Sequence, residues 1–310
     1  MKKYSVITIS EGAAGMKSQI EGLASLISDH YINIDLKINF FLKNLPVQLI
    51  PSKSFIINNI NDFKIIKPTV LISCGKKSVK ASIALKNKFK NIFNIHIQDP
   101  KTSYNKFDLI VAPKHDNLNF YNTISTDFAL HNIKFNTNKN KNNKTINFII
   151  GGKTKNFQFS KITQEKIYQD IKNLSKKHFV QIIPSRRTPK SLIKKIKSNK
   201  INNSNLYENS NNPQEYGNFI STSAANIVTW ESISMISECV SSGVGTFIYS
   251  FEKGSIPSKY KLFHKDLINK GYIKNFNYNI KPFKVSIGNE LQHLKNKILN
   301  KIEQSPIFNV

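Results

Sequence analysis

The chain has 310 residues, enough for two domains, with 39% hydrophobic and 21% charged residues as expected of a soluble globular protein. Forty-six Lys and Arg against 19 Asp and Glu give a formal charge of +27, which favours polyanionic partners. No apolar run reaches the roughly 20 residues of a membrane helix, the start "MKKYSVITIS" is too short for a signal-peptide core, and Cys74 and Cys239 make neither a metal-ligand spacing nor a disulfide framework. The expected location is the cytoplasm, with peripheral contact at the inner face of the membrane. The lysines are scattered without interleaved aromatics, and part of the excess fits a Lys-, Asn- and Ile-rich, A/T-biased composition, so nucleic acid is not the expected partner. Weak attraction to an anionic membrane face is preferred.

Along the chain, strand-like apolar runs alternate with helical ones: "YSVITIS" then "GMKSQIEGLASLIS", "TVLISC" then "KKSVKASIALKN", followed by "NIFNIHIQ" and "FDLIVAP". This alternation predicts a parallel sheet covered by helices over residues 1–135. Residues 136–145, "NTNKNKNNKT", are polar, charged and aperiodic, and read as a linker. A second alternation follows over 146–287: "TINFIIGG", a helix from about Thr163 to Lys176, "FVQIIPS", a helix from about Pro189 to Lys197, a strand near "AANIVTW", a helix, and "TFIYSF". Between the second of those helices and "AANIVTW", residues 197–212 read as a surface loop, with a short strand near Leu206 and Tyr207. The segment 288–310 holds a lysine-rich amphipathic helix with Leu291, Leu294, Ile298 and Ile302 on one stripe.

In parallel sheets, ligands bind beyond the carboxyl ends of the strands, so the strand-to-helix turns should carry function. Four stand out: "SEGAAGMKSQ" with Gly12 and Gly15, "GGKTKNFQFS" with Gly151, Gly152 and Lys153, "PSRRTP" with Arg186, Arg187 and Thr188, and "TWESISM" with Ser232 and Ser234. Glycines allow close backbone approach, guanidinium groups suit phosphate, and the unpaired amides of a helix start favour an anion. These residues form the expected phosphate-binding set. The plainer reading of Ser232 is a helix N-cap. Acid–base candidates lie in the first half: Asp99 in "QDP" and the pair His115 and Asp116 in "APKHD", where an imidazole could take a proton while an acid tunes it. Adjacent strand residues point to opposite faces, so His115 and Asp116 need a loop to cooperate. His96 alternates with Ile95 and Ile97 and reads as a strand residue.

The runs "HIQDPKTSYNKFDLIVAPKHD" (96–116), "GGKTKNFQFS" (151–160), "SRRTP" (185–189), "NPQEYGNFI" (212–220) and "TWESISMISECVSSG" (229–243) resemble the bacterial family related to the plant mitochondrial fission factor of elongated-mitochondria mutants. The resemblance covers most of the chain. It implies an α/β fold of two Rossmann-like domains facing a cleft, similar to the B-type glycosyltransferases, with no metal or other cofactor. It also implies a nucleotide-sugar or nucleoside diphosphate as ligand, and Glu238, on the helix after Ser232, as the acceptor of ribose hydroxyls. Two functions follow as expectations: transfer of a sugar to an envelope or membrane-associated acceptor, or a non-catalytic binding or scaffold role that keeps the fold. The sequence departs from the family's opening D-G-K-A-G-H, having Glu11-Gly12-Ala13-Ala14-Gly15-Met16, so Met16 replaces a His. Glu231 stands for the Asp of T-x-D-S-V-S-M, and Gly243-Val244-Gly245-Thr246 loses the Lys of G-K-P-V. These departures leave the second function open.

Overall fold

A computed structural model describes residues 4–42, 44–135, 142–154, 157–208, 212–251 and 257–309. The chain divides into two compact units, residues 1–132 with 288–310, and residues 133–287. Six residues of the expected linker, 136–141, lie outside the described residues. Its last four are not linker but the start of a strand, because Asn142 pairs in parallel register with Ser223.

The first unit runs β1 (Ser5–Ser10), α1 (Ala14–Ile27), β2 (Ile32–Asp35), β3 (Thr69–Cys74), α2 (Lys76–Lys88), β4 (Ile92–Ile97), β5 (Leu109–Pro113) and β6 (Thr123–Thr126). The strands form one parallel sheet in the order β2-β1-β3-β4-β5-β6. Continuous burial of β3, β4 and β5 reflects cover on both faces. One face packs on α1, the other on α2 and on residues 36–65, whose buried Leu36, Ile50, Ile56, Ile57, Phe63 and Ile65 share a core with Ile7, Ile9 and Leu71.

The second unit runs β7 (Asn142–Ile150), α3 (Lys161–Ser175), β8 (Phe179–Pro184), α4 (Lys190–Ser198), β9 (Ser204–Leu206), α5 (Pro213–Thr222), β10 (Ser223–Thr229), α6 (Ile233–Ser241), β11 (Thr246–Tyr249), α7 (Ser258–Asn269) and β12 (Ile273–Asn275). The helices expected from about Thr163 and Pro189 thus start within two residues of those positions, and the short strand inside 197–212 exists as β9. Ser160 caps α3 by accepting from the Thr163 amide at 3.1 Å. The strand order is β12-β11-β10-β7-β8-β9, all parallel. The order reverses between β7 and β10, and a doubly wound sheet opens a ligand crevice at the carboxyl ends of the strands flanking such a reversal. Register there is fixed by a buried amide pair: Asn147 of β7 donates to Asn226 Oδ1 of β10 at 2.8 Å and to Phe219 O at 2.8 Å.

The last helix, α8 (Gly288–Glu303), returns to the first unit. Its Leu294, Ile298 and Ile302 enter the core beside Ile20, Leu23 and Ile27 of α1, so the apolar stripe is consumed internally.

Candidate functional site

The three unusual turns of the second unit meet at the β7–β10 reversal. Gly151, just past β7, donates its amide to Thr229 Oγ1 at 2.8 Å, and Gly152 donates to Glu231 Oε1 at 2.9 Å. The Thr229 hydroxyl also donates to Glu231 Oε1 at 3.2 Å. From the turn after β8, the Thr188 hydroxyl lies 2.8 Å from both Ile150 O and Gly151 O and accepts from the Ser185 amide at 2.8 Å. The glycines are required by this stitching. A Cβ on Gly151 would overlap Glu231 Oε1, and one on Gly152 would overlap the Arg187 carbonyl.

This geometry changes the roles expected of four residues. The amides of Gly151 and Gly152 do not stand free for phosphate, because side chains from β10 and the residues after it already accept from them. Thr188, expected to bind phosphate, is buried with its hydroxyl spent on the backbone, so it fastens the turn instead. Ser232 is buried at the N-cap of α6, yet its side chain makes no capping hydrogen bond, so the plain capping role fails as well. What remains at this edge for an anion is the start of α6, where the first amides have no intrahelical acceptor, together with exposed Ser234, Lys153, Arg186 and Arg187.

Glu231 is the residue that sequence reasoning left outside the site. Its signal was an acid placed between a strand end and a helix start in "TWES". It is 2% exposed, and burial pushes its carboxyl up to about 7, against the opposing pull of its own amide, Thr229, the Gly152 amide and Arg187. Its second oxygen, Oε2, is buried without a hydrogen-bond partner among the described residues. Trp230 beside it in the chain packs on Phe157 at 4.1 Å and on Tyr260 at 5.7 Å between ring centres. Two turns along α6, Glu238 is half-buried, and desolvation raises it to about 7 while the nearby Tyr216 hydroxyl works the other way.

In the first unit, Asp99 follows β4, and His115 and Asp116 follow β5, the neighbouring strand. The loop that His115 and Asp116 need is present as a 3-10 turn, Lys114–Asp116, which places His115 Nε2 4.0 Å from Asp116 Oδ1. Asp99 is otherwise engaged: it pairs with Lys101 at 2.5 Å and accepts from the Tyr104 hydroxyl at 3.0 Å. Although burial works to raise its carboxyl, these contacts hold it below the usual range, so it stays ionised rather than poised to exchange a proton near neutrality. His96 is a buried strand residue within 2.8 Å of Ser73 Oγ, and burial lowers it to about 3. Gly12 turns the chain with φ +88, while Gly15 lies inside α1. Glu11, next to Gly12 in the chain, accepts from the Lys77 amide at the start of α2 at 2.7 Å. The residues grouped for phosphate binding therefore fall into two sets, one in each unit.

The pattern of the family described as mitochondrial fission ELM1 matches residues 14–303. The chain belongs to the mitochondrial fission ELM1 family. An uncharacterised Rickettsia prowazekii protein, RP120, is 27% identical over 327 aligned positions, covering 88% of this chain and 90% of that one. The mitochondrial fission protein ELM1 of Arabidopsis thaliana is 22% identical over 253 positions, covering 67% of this chain and 57% of the plant protein, so the chain spans less than two thirds of that relative. Among solved structures, a Listeria monocytogenes protein assigned as a UDP-N-acetylglucosamine 2-epimerase superposes with a TM-score of 0.56 at 11% identity, covering 99% of this chain and 90% of that one. That likeness shows the fold. This ELM1-family chain has the α/β architecture of the B-type glycosyltransferases, with six parallel strands among the described residues of each unit.

Proposed function

We propose that the second unit binds the diphosphate of a nucleotide-sugar at the start of α6, and that the protein is glycosyltransferase-like in this sense. The observation that carries the reading is the joining of the β7, β8 and β10 turns at the strand-order reversal, which sets exposed Arg187 beside an uncapped helix N-terminus. Backbone amides and guanidinium forks are the donors a diphosphate requires. Glu238 lies six residues after Ser232, a rise of about 9 Å along a helix, which matches the reach from a diphosphate to the far edge of its ribose. The Listeria structure is assigned to a UDP-sugar enzyme, which supports choosing this ligand class over other anions.

Transfer of the sugar to a membrane-associated acceptor would draw its acid–base pair from His115 and Asp116, which the Lys114–Asp116 turn brings together. One observation favours the binding role without transfer. Met16 stands where the resemblance places the family His, and its sulfur lies 2.5 Å from where a Cβ on Gly75, just past β3, would be.

Calorimetry and thermal shift with UDP, GDP and their sugars test the reading, because a ligand that binds only the folded state raises its stability. Replacing Arg186 and Arg187 together by Ala should weaken binding by about 1.5–3 kcal/mol for each charge-assisted hydrogen bond that the guanidinium groups make. Glu238→Gln should weaken nucleotides while sparing inorganic pyrophosphate. Absence of a shift with every nucleotide, or full affinity in the folded double Arg variant, would refute the site.

A further inference from the structure

The segment between β2 and β3 carries apolar residues on both of its faces. Its inner face supplies Leu36, Ile50, Ile56, Ile57, Phe63 and Ile65 to the core. Its outer face leaves Phe40 74%, Phe41 85%, Leu49 68% and Phe55 60% exposed, with Leu45 at 42%. Single exposed apolar residues are ordinary, but a cluster is not. Phe40, Phe41 and Phe55 are held near one another: Ile38 bridges Ile57, the Asn39 amide donates to Ile56 O at 2.9 Å, and the Phe40 and Phe41 rings meet edge to face at 6.1 Å. At about 200 Å² per aromatic side chain, the three phenylalanines alone present roughly 400 Å² of apolar surface.

The same stretch is basic. Residues 36–68 include Lys37, Lys43, Lys53, Lys64 and Lys67 against one acid, Asp62. Lys37, Lys53, Lys64 and Lys67 are exposed, and among the described residues none of the four is in an ion pair. Asp62 is engaged by Asn59 at 2.9 Å. Exposed aromatics and unpaired lysines on one segment match the two halves of an anionic bilayer surface, acyl boundary and phosphate layer, and stable peripheral binding takes both signals. A water-soluble acidic partner would satisfy the lysines and leave the rings in water. The lysine-rich helix α8 lacks the apolar half, since its Leu294, Ile298 and Ile302 are buried within the first unit.

We infer that Phe40, Phe41 and Phe55 of the first unit, with Lys37, Lys53, Lys64 and Lys67 of the same segment, form the surface by which this protein docks on anionic membranes. Phe40 and Phe41 enter the acyl boundary, and the lysines engage lipid phosphates. Docking of this kind needs no nucleotide at the second unit.

The test is flotation of the full chain with phosphatidylcholine vesicles containing phosphatidylserine, against phosphatidylcholine alone. The wild type should partition to the anionic vesicles, with partition reduced but not lost as salt rises. Phe40→Ser with Phe41→Ser should lower the partition coefficient by about tenfold or more; both rings are exposed, so the fold is spared. Phe41→Trp gives a second readout, since its added emission should shift to the blue when vesicles are mixed in. Failure of the wild type to bind, unchanged partition of the double Ser variant, or no spectral shift would overturn the inference. A lipid-free dimer that the double Ser variant dissociates would assign the patch to a second copy of the chain and overturn it equally.

Discussion

Replacing Glu231 by Gln should remove a pH dependence of stability that the folded second unit imposes on itself. Burial holds the carboxyl at about 7, against the ordinary 4.5. Between those values the folded chain keeps a proton that the unfolded chain releases, so stability is greatest at the acidic end and falls as pH rises, the loss being complete above about 7. Each pH unit in that window costs about 1.4 kcal/mol, which amounts to about 3 kcal/mol in all. Gln retains an oxygen to accept from the Gly152 amide and carries no proton to lose, so the two proteins should be similar near pH 5, and Glu231→Gln should be more stable by about 3 kcal/mol near pH 8. Glu238 contributes a slope of the same sign, but it is common to both proteins and cancels in the difference. Trp230 is the chain's single Trp, 2% exposed and adjacent to Glu231, so its fluorescence in urea follows unfolding of the relevant unit. Parallel stability profiles from about pH 5 to about pH 8 would refute the argument, because a buried carboxyl missing a hydrogen bond cannot ionise without cost.

Gly151→Ala should destabilise by about 1–3 kcal/mol through overlap with Glu231 Oε1. In a double-mutant cycle with Glu231→Ala the costs should not add, because each single change disturbs the same pair of groups; additive costs would separate the two residues. Tyr249→Phe should cost about 1.5–3 kcal/mol in urea unfolding, since the buried hydroxyl donates to the Asp170 carboxylate at 2.5 Å. Asp170 keeps Lys166 at 2.9 Å and the Tyr278 hydroxyl, so the cost should stay well below that of removing the carboxylate itself.

The alternation of apolar strands with helical periodicity was enough to predict two parallel sheets, and α3 and α4 begin where their spacing indicates, because strand and helix patterns are local. Turn chemistry was legible for the same reason: the double glycine, the double arginine and the serine-bearing helix start each announce themselves within a few residues. The assignment of donors and acceptors was not. Gly151 and Gly152 give their amides to Thr229 and Glu231, 78 and 79 residues later, and that pairing exists only because the strand order reverses between β7 and β10. Thr188 looked like a free hydroxyl, and became a fastener once the β8 turn lay against Ile150 and Gly151. Glu231 looked like one acid of a short motif, and only its burial against the glycine turn raised its carboxyl toward neutrality. The amphipathic stripe of α8 was correctly visible in sequence, but a stripe does not say what it faces. Packing on α1 spent it inside the first unit, while Phe40, Phe41 and Phe55 of the segment after β2 stay at the surface. Periodicity fixes which residues share a face, while long-range contact decides whether that face meets core, ligand or solvent.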